Sequence, residues 1–311
     1  MSDFESPDQP GRQPPAPQKQ VWRRPGRAAG KRPGVRPSTL VLVAVFLVGL
    51  CLLLYPTVSD MVNERNHSRA IASHQQALEQ MDDGTLDELL AQALEYNTQL
   101  AQEPTEWFLS DYEMAIYNNM LDPFGNGMMG YLEIPGISVR LPIYHGVDAA
   151  VLQVGVGHVE SSSLPVGGES SHCVLSGHRG LPSARLLSDL DQMEVGDVFY
   201  LHVLDQTLAY TVDEIRVVEP QEVESLGVQQ GQDLCTLVTC TPYGVNTHRL
   251  LVRGVRTEYT PAPEQTETAA QEIVAAEPRN MAPVALALGL VVLLVVLLIR
   301  DRKKNERSDR R

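Results

Sequence analysis

Two charge-free apolar runs set the plan of this chain: residues 40–55 and residues 281–299 contain no Asp, Glu, Lys or Arg. At about 1.5 Å per helical residue they span roughly 24 and 28 Å, and the first reaches the ~30 Å of a bilayer core if residues 56–58 are included. The first run follows a basic region of nearly 40 residues, and no small-x-small pattern follows Tyr55. It therefore reads as an uncleaved anchor rather than a signal peptide. The second has no polar face and runs straight into Arg300, Arg302, Lys303 and Lys304, which is not how a soluble core helix ends.

Charge is partitioned around these runs. The whole chain carries a formal −14, yet both ends are basic and the stretch between the runs is strongly acidic. Lys and Arg on the outer side of each run place both termini in the cytoplasm by the positive-inside rule and the segment 60–280 outside. An acidic exterior argues against nucleic-acid binding, which needs clustered cations. The expected order is a disordered basic cytoplasmic tail (1–38), a transmembrane helix (39–58), an extracytoplasmic helical segment (59–129), a β domain (130–259), an acidic linker (260–280), a second transmembrane helix (281–299) and a basic cytoplasmic tail (300–311).

Within the exterior segment the hydrophobic period changes once. Leu86, Leu89, Leu90, Ala93 and Leu94 recur at helical spacing. From Tyr131 onward, short runs separated by turn residues predict strands at 131–135, 139–144, 172–177, 197–204, 207–218, 233–241 and 249–258, a sheet closed into a sandwich or barrel. Leu208, Tyr210 and Val212 alternate in one phase, and Ile215 and Val217 in the other, so a bulge is expected near Asp213–Glu214. Asp205 and Gln206 are expected to turn the preceding hairpin, and Leu186, Leu187 and Leu190 predict a helix over 184–193.

Of the four cysteines, Cys51 lies in the first apolar run and Cys173, Cys235 and Cys240 lie outside. An odd number of exterior thiols leaves at least one without an intramolecular partner; a small buried hydrophobe is the ordinary reading of such a residue. Cys240 is placed differently. It ends the buried-strand pattern 234–239, Pro242 stops pairing, and Gly244 and Asn246 turn the chain so that Arg249 returns beside it. A thiol next to a permanent cation is favoured as thiolate. The run 174–178 also ends a buried strand, and it presents His178 among glycines, where an imidazole can carry protons for a thiol nucleophile. No Cys, His and carboxylate cluster stands at metal-ligand spacing, no glycine-rich phosphate loop is present, and no cofactor is expected.

Ser176-Gly177-His178-Arg179-Gly180-Leu181-Pro182 and Thr236-Leu237-Val238-Thr239-Cys240-Thr241-Pro242-Tyr243, followed by Asn246-Thr247-His248-Arg249, resemble the active-site segments of class C sortases, the pilin polymerases of Gram-positive bacteria. Leu141-Pro142-Ile143-Tyr144-His145-Gly146 and Ser163-Leu164-Pro165-Val166-Gly167-Gly168 match as well. The resemblance covers residues 130–258. It implies a closed eight-stranded sortase-type β-barrel with N-terminal helices and two flanking transmembrane helices, with Cys240 as nucleophile, His178 as general acid/base, and Arg249 orienting substrate and stabilising the oxyanion. The implied reaction cleaves a Leu-Pro-x-Thr-Gly-type sorting signal through a thioester and passes the acyl group to a lysine of another pilin subunit. The implied partners are pilin subunits bearing C-terminal sorting signals, and the cytoplasmic membrane.

In the family a lid with an Asp-Pro-aromatic tripeptide often covers the thiol. Asp122-Pro123-Phe124 has that composition but lies only six residues before Gly130, so an ordinary turn before the first strand is the competing reading. Cys173 and Cys235 each stand five residues before His178 and Cys240. If the two strands run parallel with the latter pair level, the extra thiols are level too, and the odd offset turns them to the opposite face. Adjacent buried thiols and a disulfide both remain open. Two other functions compete with transpeptidation: a membrane-anchored cysteine hydrolase, and a non-enzymatic surface protein. Against the latter, no Leu-Pro pair continues into Thr-Gly.

Overall fold

The computed structural model describes residues 37–102, 109–259 and 282–308. Residues 1–36 of the expected cytoplasmic tail, 103–108 of the helical segment, the whole linker at 260–280 and the last residues of the C-terminal tail lie outside them.

Eight strands close into a barrel: β1 (Met128–Ile134), β2 (Val139–His145), β3 (Val156–His158), β4 (Ser171–Ser176), β5 (Val198–Val203), β6 (Gln206–Val218), β7 (Asp233–Thr241) and β8 (His248–Thr257). Their order around the barrel is β1-β2-β3-β4-β7-β8-β6-β5. This is the eight-stranded closed sheet implied by the resemblance, and closure leaves no unpaired edge. The long apolar core inside it includes Leu132, Ile143, Leu175, Phe199, Leu201, Tyr210, Leu237 and Val252, all buried. The expected bulge is present: Val212 pairs Gly254 and Glu214 pairs Arg253, leaving Asp213 as the extra residue. Its carboxylate then accepts from Arg253 Nε at 3.1 Å, an ion pair across the bulge.

Three expectations are corrected. The β5–β6 turn falls one residue early, on Leu204 and Asp205, with Leu204 at φ +53°. Residues 184–193 form turns and a short 3-10 segment at Leu190–Gln192 rather than a helix. Leu186 has φ +43°, and the Leu187 N–H bonds the His178 carbonyl at 3.2 Å instead of a carbonyl of its own turn, so its apolar side chains fill the core without a helical period. The three-residue strand β3 was not anticipated.

Among the described residues, five helices accompany the barrel: α1 (Pro37–Leu78), α2 (Asp83–Gln102), α3 (Asp111–Tyr117), α4 (Ala149–Leu152) and α5 (Ala282–Ser308). The anchor and the start of the stalk, expected as separate pieces, are one helix that continues through Pro56; a proline costs an interior donor but does not always end a helix. From Val41 onward α1 is long and apolar enough to cross a membrane, with a mean hydropathy of 2.6, whereas the apolar part of α5, Ala285–Arg300, is shorter. The later part of α1 buries Ile71 against Met128 and Tyr131 on the outside of β1. Asn97 docks α2: its amide donates to the Leu164 and Gly167 carbonyls at 3.1 Å and accepts the Leu164 N–H at 2.7 Å.

Ser110 caps α3, accepting the Glu113 N–H at 3.3 Å while the Glu113 carboxylate accepts the Ser110 N–H at 2.8 Å, a reciprocal capping box. The helix delivers Tyr117 into the barrel wall, where its hydroxyl lies 2.9 Å from His158 Nδ1 and accepts the Gly146 N–H at 3.1 Å. Burial raises the Tyr117 hydroxyl far above the usual phenol range, so it stays protonated as a donor. Tyr117→Phe strands a buried imidazole nitrogen and a buried N–H. It is expected to lower stability by about 1–3 kcal/mol, read as a fall in the urea midpoint.

The four thiols are free. In a Cys51→Ala background, iodoacetamide is expected to label Cys240 in the native protein, and to reach Cys173 and Cys235, 1% and 0% exposed, only after denaturation. Peptide mapping before and after guanidinium checks this; native labelling of all three would contradict the burial.

Candidate active site

Strand register brings the three sequence-predicted residues toward one place. β4 and β7 run parallel, with Cys173 opposite Cys235 and Ser176 opposite Val238. The ladder continues past β4: the Gly177 N–H donates to the Val238 carbonyl at 3.0 Å, and Thr239 Oγ1 donates to the Gly177 carbonyl at 2.8 Å. His178 therefore follows β4 by the same two residues that separate Cys240 from Val238. β7 and β8 are antiparallel, and Cys240 is the direct partner of Arg249.

Alternation sets the face. Val174, Val238 and Leu251 share an apolar cluster with Val218, while Cys173, Leu175, Cys235 and Leu237 belong to the main core. Counting by twos, His178, Cys240 and Arg249 continue the phase of Val174, Val238 and Leu251. The two level cysteines occupy the opposite face, as the five-residue offset requires. Full burial, with the Cys173 side chain and the Asp233 charge beside it, pushes the Cys235 thiol well above the usual range. Cys240, His178 and Arg249 are each partly exposed.

The loops explain the local sequence. Gly177 is required by a close approach, since a Cβ there would stand 2.7 Å from Leu187 Cδ1. After Cys240 the Thr241–Pro242 bond is cis, and the Pro242 carbonyl accepts the Val245 and Asn246 N–H groups at 3.0 Å, with Asn246 at φ +61°. The Arg249 guanidinium leans on this turn, donating to the His248 carbonyl at 3.2 Å and the Asn246 carbonyl at 3.5 Å. Among the described residues the His178 ring makes no hydrogen bond.

One neighbour was quoted in the sequence motif without a role. Arg179 has a side chain only 7% exposed, pairs with Asp191, and donates from Nη1 to Thr241 Oγ1 at 3.2 Å, with its guanidinium 5.8 Å from the Tyr243 ring centroid. These partners lie 12 to 64 residues away along the chain, and its only sequence signal is its place directly after His178.

Asp122, Pro123 and Phe124 lie elsewhere. The Asp122 carboxylate accepts the Asn126 and Gly127 N–H groups at 3.0 Å, and Phe124 meets the His74 ring of α1 edge-on at 5.3 Å. Met128 pairs Tyr144, which is level through β3 with Ser176. Stepping back along β1 toward Asp122 therefore leads away from the His178 end of β4. These are the contacts of a turn seated on α1.

Residues 132–257 match the family model described as the Sortase domain. Sortase C1 from Streptococcus agalactiae is 48% identical, with a TM-score of 0.61, covering 62% of this chain and 100% of that one. The Streptococcus pneumoniae sortase C, whose structure is described as bearing on catalysis and pilin substrate specificity, is 47% identical, with a TM-score of 0.56, covering 63% of this chain and 99% of that one. Sortase D of Bacillus subtilis is 32% identical over 130 residues, 41% of this chain and 63% of that protein, so the chain spans somewhat under two thirds of that curated relative. Identity near one half along the whole of a solved sortase goes beyond a common barrel: the chain belongs to the sortase family, and its structural neighbours are class C sortases.

Proposed function

We propose that this protein is a membrane-anchored cysteine transpeptidase that cuts a Leu-Pro-x-Thr-Gly-type sorting signal and joins the acyl fragment to a lysine amine of a pilin subunit. The observation that carries this reading is the placement of Cys240 opposite Arg249 and level with His178, on one face at one end of the β4–β7–β8 ladder. Pilin as substrate rests on the class C neighbours.

The chemistry follows from the groups. The Cys240 thiolate attacks the Thr carbonyl carbon; the C–S bond forms as the electron pair of the carbonyl moves to oxygen. Arg249 faces Cys240 across the ladder and offers that oxygen a planar, permanently charged donor. As the tetrahedral species collapses the Thr–Gly C–N bond breaks, and the His178 imidazolium gives its proton to the leaving amine. In the second half the lysine amine attacks the thioester, His178 takes up a proton from it, and the thiolate departs. Bond energy passes from amide to thioester to amide, so no nucleotide is consumed. A ring with no hydrogen bond to a neighbour is free to move protons between thiol and amine.

The membrane arrangement completes the proposal: two spans, at 39–58 and 281–299, both termini in the cytoplasm and the barrel outside, where surface proteins are presented. Supporting it are the apolar stretch of α1 and the basic flanks of both runs.

The test uses the full chain in detergent with a sorting-signal peptide and a lysine-containing acceptor. Amide product is expected to exceed hydrolysis product when the acceptor is in excess. Cys240→Ala and His178→Ala are expected to abolish both products, and Arg249→Lys to lower kcat/KM by about 10²-fold or more, because a point charge does not reproduce the guanidinium fork. Hydrolysis alone at every acceptor concentration would place the protein among hydrolases, and full transfer by Cys240→Ala would remove the nucleophile.

A further inference from the structure

We infer that Arg179 is a positioning residue that clamps the loop carrying His178 to the end of β7 that carries Cys240, and so sets the geometry between imidazole and thiol. The inference rests on the transpeptidase reading above and deepens it.

β4 stops pairing with β7 at Ser176 and Val238, and the hydrogen bonds at Gly177 carry the ladder one step further. Beyond that step β4 gives way to a loop, while β7 continues to Thr241 paired with β8. The backbone hydrogen bonds between β4 and β7 stop one residue short of His178 and two short of Cys240. Arg179 and Thr241, the residues immediately after each, are joined by the 3.2 Å hydrogen bond from Nη1 to Oγ1. This side-chain bridge lies one residue beyond the pair it must align.

The bridge is anchored on three sides. Nη2 pairs with the Asp191 carboxylate, which comes from the segment that replaced the expected helix. The guanidinium faces the Tyr243 ring, at the far end of the cis turn after Cys240. Gly180 takes φ +77°, its missing Cβ would touch the same ring at 3.4 Å, and its N–H donates to Ser188 Oγ at 3.1 Å. Both loops are thus fastened to a single cation that is 7% exposed.

Burying a guanidinium is costly unless its donors are satisfied. Here the Nε–H is buried with no partner among the described residues. An orphaned buried donor in a native protein calls for an explanation. Folding stability alone would be served as well by an apolar side chain filling the same space, whereas a residue selected to hold two loops in one arrangement tolerates the loss. A lysine could reach Asp191 or Thr241, but it lacks the fork that spans both.

The test measures kcat and KM for the full chain in detergent, with circular dichroism melting of each variant. Arg179→Ala is expected to lower kcat about 10²-fold with KM within about twofold, since a misplacement near 1 Å costs about that much in rate without removing substrate contacts. Arg179→Lys is expected to recover part of the loss. Thr241→Val and Asp191→Asn, on exposed or partly exposed side chains, are expected to lower kcat several-fold singly and to have no further effect in the Arg179→Ala background, the signature of action through Arg179. If Arg179→Ala melts early, these two variants decide. The inference is overturned by a kcat within twofold of wild type in Arg179→Ala, by losses confined to KM, or by additive effects of Asp191→Asn and Arg179→Ala. Cys240→Ala run alongside separates the two claims: if it transfers, the nucleophile reading falls; if it is inert while Arg179→Ala is fully active, only the clamp falls.

Discussion

The hydrogen-bond ladder across β4, β7 and β8 is the constraint on which the rest of the molecule depends. Parallel pairing of β4 with β7 and antiparallel pairing of β7 with β8 fix three chain positions that are 62 and 9 residues apart relative to one another. A slip of one residue in either pairing would turn an entire strand over and send its core side chains to the outside. The apolar residues on both faces of β7, Leu237 within the main core and Val238 within the smaller cluster, penalise such a slip from both sides. Burial thus enforces register, and register places Cys240, Arg249 and the chain leading to His178.

The same alternation separates three sulfurs, those of Cys173, Cys235 and Cys240, into two environments. Cys173 and Cys235 face the barrel interior, where burial raises the Cys235 thiol and a substrate carbonyl has no access. Cys240 stands at the strand end, partly exposed, with a guanidinium as its cross-strand partner. Chemically identical side chains on one strand are thereby sorted by their distance from the ladder's end and by odd or even position. At that end the pairing of β4 with β7 ceases while β7 stays paired with β8, and Arg179, Thr241 and Asp191 converge there.

Much of this was legible in the chain. Pairing of Cys240 with Arg249 follows from a buried strand, a Pro-Gly-Asn turn and a returning strand, and the level placement of Cys173 and Cys235 follows from equal offsets to His178 and Cys240. The phase change at Asp213 marked its bulge. What escaped had physical reasons. β3 is three residues in a glycine-containing stretch, Val156–His158, with too few side chains to show a period. Leu186, Leu187 and Leu190 have helical spacing, but the Leu187 N–H goes to the His178 carbonyl, the Arg185 N–H to Asp60 and Leu186 is left-handed, so tertiary contacts override the pattern. The Arg179 contacts join residues far apart in sequence, and no local pattern encodes them. Asp122-Pro123-Phe124 has a composition compatible with two roles, and its hydrogen bonds and its ring contact with His74 are those of a turn.

The central claim is that one sulfur, Cys240, carries the peptide between two amines. The most direct measurement is intact mass of the full chain after brief exposure to a sorting-signal peptide without any amine acceptor, quenched in acid and digested for mapping. The expected result is a single adduct with the mass of the acyl fragment, released by hydroxylamine, located on the peptide that contains Cys240 and absent from Cys240→Ala. Turnover with no adduct at any time point, or an adduct that persists in Cys240→Ala, would contradict it.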